Sequence, residues 1–128
     1  MGGLTRVLFS EVRGSVFKDG KPLSGAVVRR TFNWRWGRQK GADQTITDRA
    51  GEFHFPRIVR RSLSASFPHE PVIGQFIAIE HDGKEYVAWE AFKRDYALHG
   101  ELGGQPINLD CELTNDPPSG IACELLNP

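Results

Sequence analysis

The chain has 128 residues, of which 39% are hydrophobic and 25% charged, and sixteen basic residues balance sixteen acidic ones. That length suits one domain with one core, and the composition is ordinary for a globular protein. A formal charge of zero gives no general field to attract phosphates, and no stretch reaches the ~20 apolar residues of a membrane-spanning helix, so neither a nucleic-acid partner nor a membrane span is expected.

Near the start, Val7-Leu8-Phe9 falls short of the roughly 7–15 apolar residues of a secretory leader. Residues 11–17 alternate through Val12, Gly14 and Val16, and Asp19-Gly20 then supplies a tight turn. The longest run, residues 26–36, has Ala26, Val28, Arg30, Phe32, Trp34 and Trp36 on one parity and Val27, Arg29, Thr31, Asn33 and Arg35 on the other, which predicts a strand. A polar, glycine-containing loop is predicted at 37–43 and a short strand at 44–48. Asp48 and Gly51 bracket a turn, after which Phe53 and Phe55 share a strand face and turn His54 away from it. Residues 56–71 read as irregular. Residues 72–80 are apolar on both faces, as a central strand is. Asp82-Gly83 is a second hairpin turn, leading into a strand at 85–89. Residues 90–99 are the one helical candidate, with Phe92, Tyr96 and His99 near one face and Gly100 to end it. Strands follow at 107–113 and 121–125. About eight short strands at regular spacing predict one all-β sandwich over residues 1–128 with Greek-key connections and a short helix near 90–99.

The first half carries a specific pattern. Gly14, Val16, Gly20, Pro22, Leu23, Gly25, Ala26 and Val28, followed by Thr45, Thr47, Asp48, Gly51, Phe53, Phe55 and Pro56, resemble the carboxypeptidase-regulatory-like domains, which are transthyretin-like (prealbumin-like) sandwiches of seven or eight strands. The resemblance covers residues 11–56. The whole chain resembles a family of small, uncharacterised, stand-alone bacterial domains. Related small sandwiches accompany toxin and contact-dependent secretion genes, type VI secretion among them, which implies an immunity or accessory role. A transthyretin-like hydrolase ends in Tyr-Arg-Gly-Ser and uses paired histidines. This chain ends in Cys-Glu-Leu-Leu-Asn-Pro and scatters its four histidines, so that activity is not expected.

Cys111 and Cys123 flank a turn-rich segment at 115–120. They read either as a cross-strand disulfide or as two buried thiols on paired strands. A disulfide implies an oxidising compartment, the periplasm if a leader was removed; a complete sequence implies the cytoplasm. No metal or cofactor site is expected, because two cysteines without a CxxC or paired-histidine pattern are too few ligands. His69-Glu70, between Pro68 and Pro71, reads either as a proton-shuttling pair or as a rigid exposed loop. Ser62, Ser64 and Ser66 lack a visible base, and no catalytic residue is assigned.

The strongest binding candidate is the segment from Phe32 to Lys40. Trp and Arg combine large contact area with bidentate hydrogen bonding. Trp36, Arg35, Arg38 and Lys40 are assigned to a partner site, and Arg60 and Arg61 with Arg57 extend it as a basic edge. Phe32 and Trp34 are expected in the core and Trp36 at the surface. The expected function is a non-catalytic protein-binding module. The alternatives are a carbohydrate or cell-envelope module, stacking sugars on Trp36 with Trp89 or Tyr86, and a small hydrolase.

Overall fold

A computed structural model describes residues 5–61, 69–113 and 121–126. Ser62, Ser64, Ser66 and the turn expected at 115–120 lie outside the described residues. Among the described residues the strands are β1 (Thr5–Phe9), β2 (Val12–Lys18), β3 (Lys21–Pro22), β4 (Val27–Trp34), β5 (Gln39–Ile46), β6 (Glu52–Phe55), β7 (Ile58–Arg61), β8 (Ile73–His81), β9 (Lys84–Lys93), β10 (Ile107–Glu112) and β11 (Cys123–Leu125).

β4 shows why the chain folds as a sandwich. Its even positions, Val28, Arg30, Phe32 and Trp34, are buried, and its odd positions are not. β4 pairs antiparallel with β5 on one side and β8 on the other, and β8 pairs with β9, giving the order β5-β4-β8-β9. The second sheet is built on β2. β10 runs parallel to β2 along one edge, β6 and β3 share the other, and β11 lies outside β10. Val12, Val16, Phe53, Phe55, Ile107 and Leu109 of this sheet meet Val28, Phe32, Trp34, Ile73, Ile77 and Ile79 of the first in one buried cluster. Each such side chain contributes about 1.5–3 kcal/mol by leaving water. β1 and β7 form a separate antiparallel ribbon, which brings Leu8 and Phe9 into the same core.

The two Asp-Gly turns form as their composition dictates. Asp19 and Gly20 have φ of 54° and 75°, and Asp82 and Gly83 have 50° and 74°. Positive φ at both central residues matches the right-handed twist of a two-residue hairpin. Cys111 and Cys123 stand directly opposite each other on β10 and β11 and are joined as a disulfide, with Cα atoms 4.0 Å apart. Closing a loop of this size stabilises by roughly 3 kcal/mol in the chain-entropy account.

Four expectations need correction. Residues 90–99 are not a helix: β9 continues to Lys93, and the helical element among the described residues is a 3-10 turn at Gly100–Leu102. β8 supplies a partner along that whole length, down to Ile73 opposite Lys93, so sheet pairing overrides local helical spacing. The loop expected at 37–43 is strand from Gln39 onward, because every residue of β5 has a partner on β4. The irregular segment contains β7, and the short apolar run at 7–9 belongs to its partner β1. Strand Glu85–Trp89 is longer than expected at its far end for the same reason as the missing helix.

Candidate functional site

The end of β4 places an indole at the surface and another beneath it. Trp34 is fully buried, while Trp36 is 39% exposed. Between them and β5 the chain turns through residues 35–38, closed by the Arg38 amide donating to the Arg35 carbonyl at 3.2 Å. Arg38 adopts φ 51°. A Cβ on Gly37 would fall inside the Trp34 ring, so the turn lies directly on the buried indole and glycine is required there. The turn presents Arg35, Trp36 and Arg38 around a shallow surface recess.

Residues distant in sequence hold Trp36. His69 stacks on it with ring centroids 4.1 Å apart and planes 7° from parallel. His69 Nε2 is 2.5 Å from the Tyr96 hydroxyl, and that hydroxyl accepts the Trp34 indole N–H at 3.0 Å. The direction of the bond between His69 Nε2 and the Tyr96 hydroxyl follows the imidazole tautomer. Trp34, Tyr96, His69 and Trp36 thus form one aromatic relay from core to surface. The Tyr96 carbonyl accepts the Val7 amide at 3.1 Å, which ties β1 to the cluster.

The rim is basic. The Arg6 guanidinium lies 5.3 Å over the Tyr96 ring, and that of Arg60 lies 5.6 Å over Phe32. Arg60 also donates to Gln39 Oε1 at 3.2 Å. Arg6 and Arg60 are direct partners across the β1–β7 ribbon. Of the residues assigned from sequence, Arg35, Trp36 and Arg38 share the turn, and Arg60 stands on β7 against Phe32 and Gln39. Arg61 is the exposed neighbour of Arg60 on β7, opposite Thr5. Lys40 alternates onto the outward face of β5, and Arg57 turns toward Glu11, 3.8 Å away. Trp89 and Tyr86 do not join Trp36: both pack against the core cluster, and the Trp89 indole donates to Gln75 Oε1 at 3.0 Å.

Sequence reading did not assign Arg6, His69 or Tyr96 to this site. His69 is half-buried against Trp36 and is not the exposed loop residue that its flanking prolines suggested.

A second polar cluster lies where β1 meets β2. The Ser10 amide and hydroxyl donate to the two Glu101 oxygens at 2.8 and 2.6 Å, and the His99 amide donates to Ser10 Oγ at 2.7 Å. Gln75 Nε2 donates to Glu101 Oε2 at 2.9 Å and to the Leu8 carbonyl at 3.0 Å. His99 Nε2 bonds Glu11 Oε2 at 2.8 Å. The serine proton goes to a carboxylate that two other donors already occupy, so this cluster is a latch on the 3-10 turn. The hydrogen bond from His99 outweighs burial and holds the Glu11 carboxyl below the usual carboxylate range. Its folded-state value is depressed, so its stabilisation is present above the usual range and lost as pH falls through the folded value. Glu11→Gln is therefore expected to be less stable than wild type at pH 7, with the gap closing on acidification. Urea midpoints from pH 7 to pH 3 measure this, and a gap independent of pH overturns it.

Among the described residues no three His, Cys, Asp or Glu side chains gather as a metal site. No helix among them is long and apolar enough to cross a membrane.

Solved structures similar to the chain include two dioxygenases. The 3-chlorocatechol 1,2-dioxygenase from Rhodococcus opacus 1CP is 14% identical, with 82% of this chain and 54% of that one covered and a TM-score of 0.37. The catechol 1,2-dioxygenase from Acinetobacter sp. ADP1, inhibited by bound mercury, is 19% identical, with 93% and 47% covered and a TM-score of 0.39. The chain spans about half the length of each. No curated protein matches it. A family model does, over residues 12–116, and the chain belongs to that family, described as Domain of unknown function (DUF6795).

Proposed function

We propose that the protein is a non-catalytic binding module that grips an acidic protein partner at the Trp36 rim. One observation carries this reading: an exposed indole stacks on His69 and shares its tight turn with Arg35 and Arg38, while Arg6 lies over the Tyr96 ring that His69 contacts. A preorganised aromatic anchor loses little side-chain entropy on binding, and its arginines supply bidentate contacts to carboxylates. Two resemblances support the same reading. Residues 11–56 look like a carboxypeptidase-regulatory-like, transthyretin-like sandwich. The whole chain looks like the stand-alone domains found beside toxin and secretion genes, which makes an immunity or accessory role the specific form of the proposal.

The test uses the full chain as bait in lysate of its own host, beside Trp36→Ala and Arg35→Glu/Arg38→Glu. One acidic protein retained in stoichiometric amount is expected, with release by raised salt. Trp36→Ala is expected to weaken the purified pair by at least about 2 kcal/mol, some thirtyfold. Retention of the same partner by all three baits, or of none by wild type, overturns the proposal.

A further inference from the structure

The outward face of the β5-β4-β8-β9 sheet carries a groove of about 490 Å³, within the size range of small-ligand sites. The strand register sets its floor and walls. One row across the sheet reads Lys40, Asn33, Gly74, Phe92, and the next reads Ala42, Thr31, Phe76, Glu90. Phe92 is 67% exposed, although it sits in a sheet whose other aromatics are largely covered. One of its ring carbons lies 3.7 Å from where a Cβ on Gly74 would stand. The ring therefore reaches toward the glycine and leaves most of its surface open to solvent. A larger residue at position 74 would lift it.

Around this shelf stand Thr31, Asn33, Lys40 and Glu90. None of these four side chains takes part in a hydrogen bond or ion pair among the described residues. Together they offer donors and acceptors in both senses. One lysine and one glutamate cancel in charge, so the groove has no net sign with which to draw a polyanion or a polycation. The matching ligand is neutral, presents hydroxyls at its edges and has an apolar C–H face to lay on an aromatic ring.

We propose that this groove binds a neutral oligosaccharide, with Phe92 as the stacking platform and Asn33, Glu90, Lys40 and Thr31 as hydroxyl partners. The site is separate from the Trp36 rim, and either can fail without the other.

The experiment is an NMR titration of the nitrogen-15-labelled full chain with cellohexaose, chitohexaose and maltohexaose in turn. At least one sugar is expected to give saturable shifts centred on the amides of Asn33, Gly74, Phe76 and Phe92. Phe92→Ala removes an exposed ring and leaves the fold in place. It is expected to weaken that sugar at least tenfold, while Trp36→Ala leaves the titration unchanged. Absence of saturable shifts with all three sugars overturns the proposal. So do shifts centred on Trp36, or full binding by Phe92→Ala. Shifts at the groove that grow with protein concentration in the absence of sugar would assign the face to a second copy of the chain, and that too overturns it.

Discussion

Arg30→Ala is expected to destabilise the protein by about 3–5 kcal/mol, a large share of the stability of a domain this size. Arg30 occupies a core position of β4, and its side chain is 0% exposed. Its guanidinium lies 4.9 Å from the Phe9 ring centre and 4.7 Å from that of Phe55. It donates to Asp43 through Nε at 3.0 Å and Nη2 at 2.7 Å, and to the Pro56 carbonyl through Nη1 at 2.7 Å. One side chain therefore ties β5, the end of β6 and the β1–β7 ribbon to β4. Alanine removes that bulk from a packed core and leaves the Pro56 carbonyl without its donor. Asp43→Ala isolates the other effect, because it keeps the Arg30 side chain in the core and leaves a buried cation without its carboxylate; a loss of about 3 kcal/mol is expected. Arg30→Met keeps volume and removes the charge together with its need for a partner, so it is expected to be the mildest of the three. Urea unfolding at pH 7 gives the order. A methionine variant that is less stable than Asp43→Ala would show that the charge itself stabilises the fold.

Arg30 also shows what was legible in the sequence. Its parity on β4 was plain from Val28, Phe32 and Trp34, and so was the strand. Its role was not, because its partners Asp43, Phe9, Phe55 and Pro56 are set by tertiary pairing. The same limit explains β5: Gly41 and Asp43 are poor strand formers, and only β4 alongside makes them a strand. The Asp-Gly turns and the Phe53/Phe55 face were readable because their chemistry is local. In the candidate site, exposure of Trp36 and burial of Trp34 followed from the end of the alternation. The clamp on Trp36 did not, since Tyr96 stands 62 residues from Trp34 and His69 another 27 from Tyr96. No periodicity reaches across such gaps.

Lys93→Met is expected to cost about 2–4 kcal/mol and to loosen the Trp36 clamp as well. Helical spacing over 90–99 would group Phe92 with Tyr96 and His99 and leave Lys93 in water. Strand pairing of Lys93 with Ile73 does the reverse: Phe92 faces out, and the Lys93 side chain is 0% exposed. Its ammonium has three donors and uses each, on the Asp95 carbonyl at 2.9 Å, the Ala97 carbonyl at 2.7 Å and the Asp95 carboxylate. These contacts fold residues 94–97 back over the strand end and set Tyr96 beneath His69. Burial pushes the Asp95 carboxyl up, but the bonds from Lys93 and from the Ala97 amide outweigh it and hold the group below its usual range. Its contribution is therefore present near neutrality and lost as pH falls through the folded value. Methionine fills the volume without the donors, so the Asp95 carbonyl loses its partner, the Ala97 carbonyl keeps only the Gly100 amide, and the Asp95 carboxylate loses its cation. Faster hydrogen exchange is expected at the Val7 amide, which bonds the Tyr96 carbonyl. Partner binding through Trp36 should weaken in parallel, although residue 93 lies outside the rim. Wild-type stability in Lys93→Met would mean that the loop holds itself. A loss of stability with Val7 exchange and binding unchanged would mean that the lysine supports the sheet and not the site.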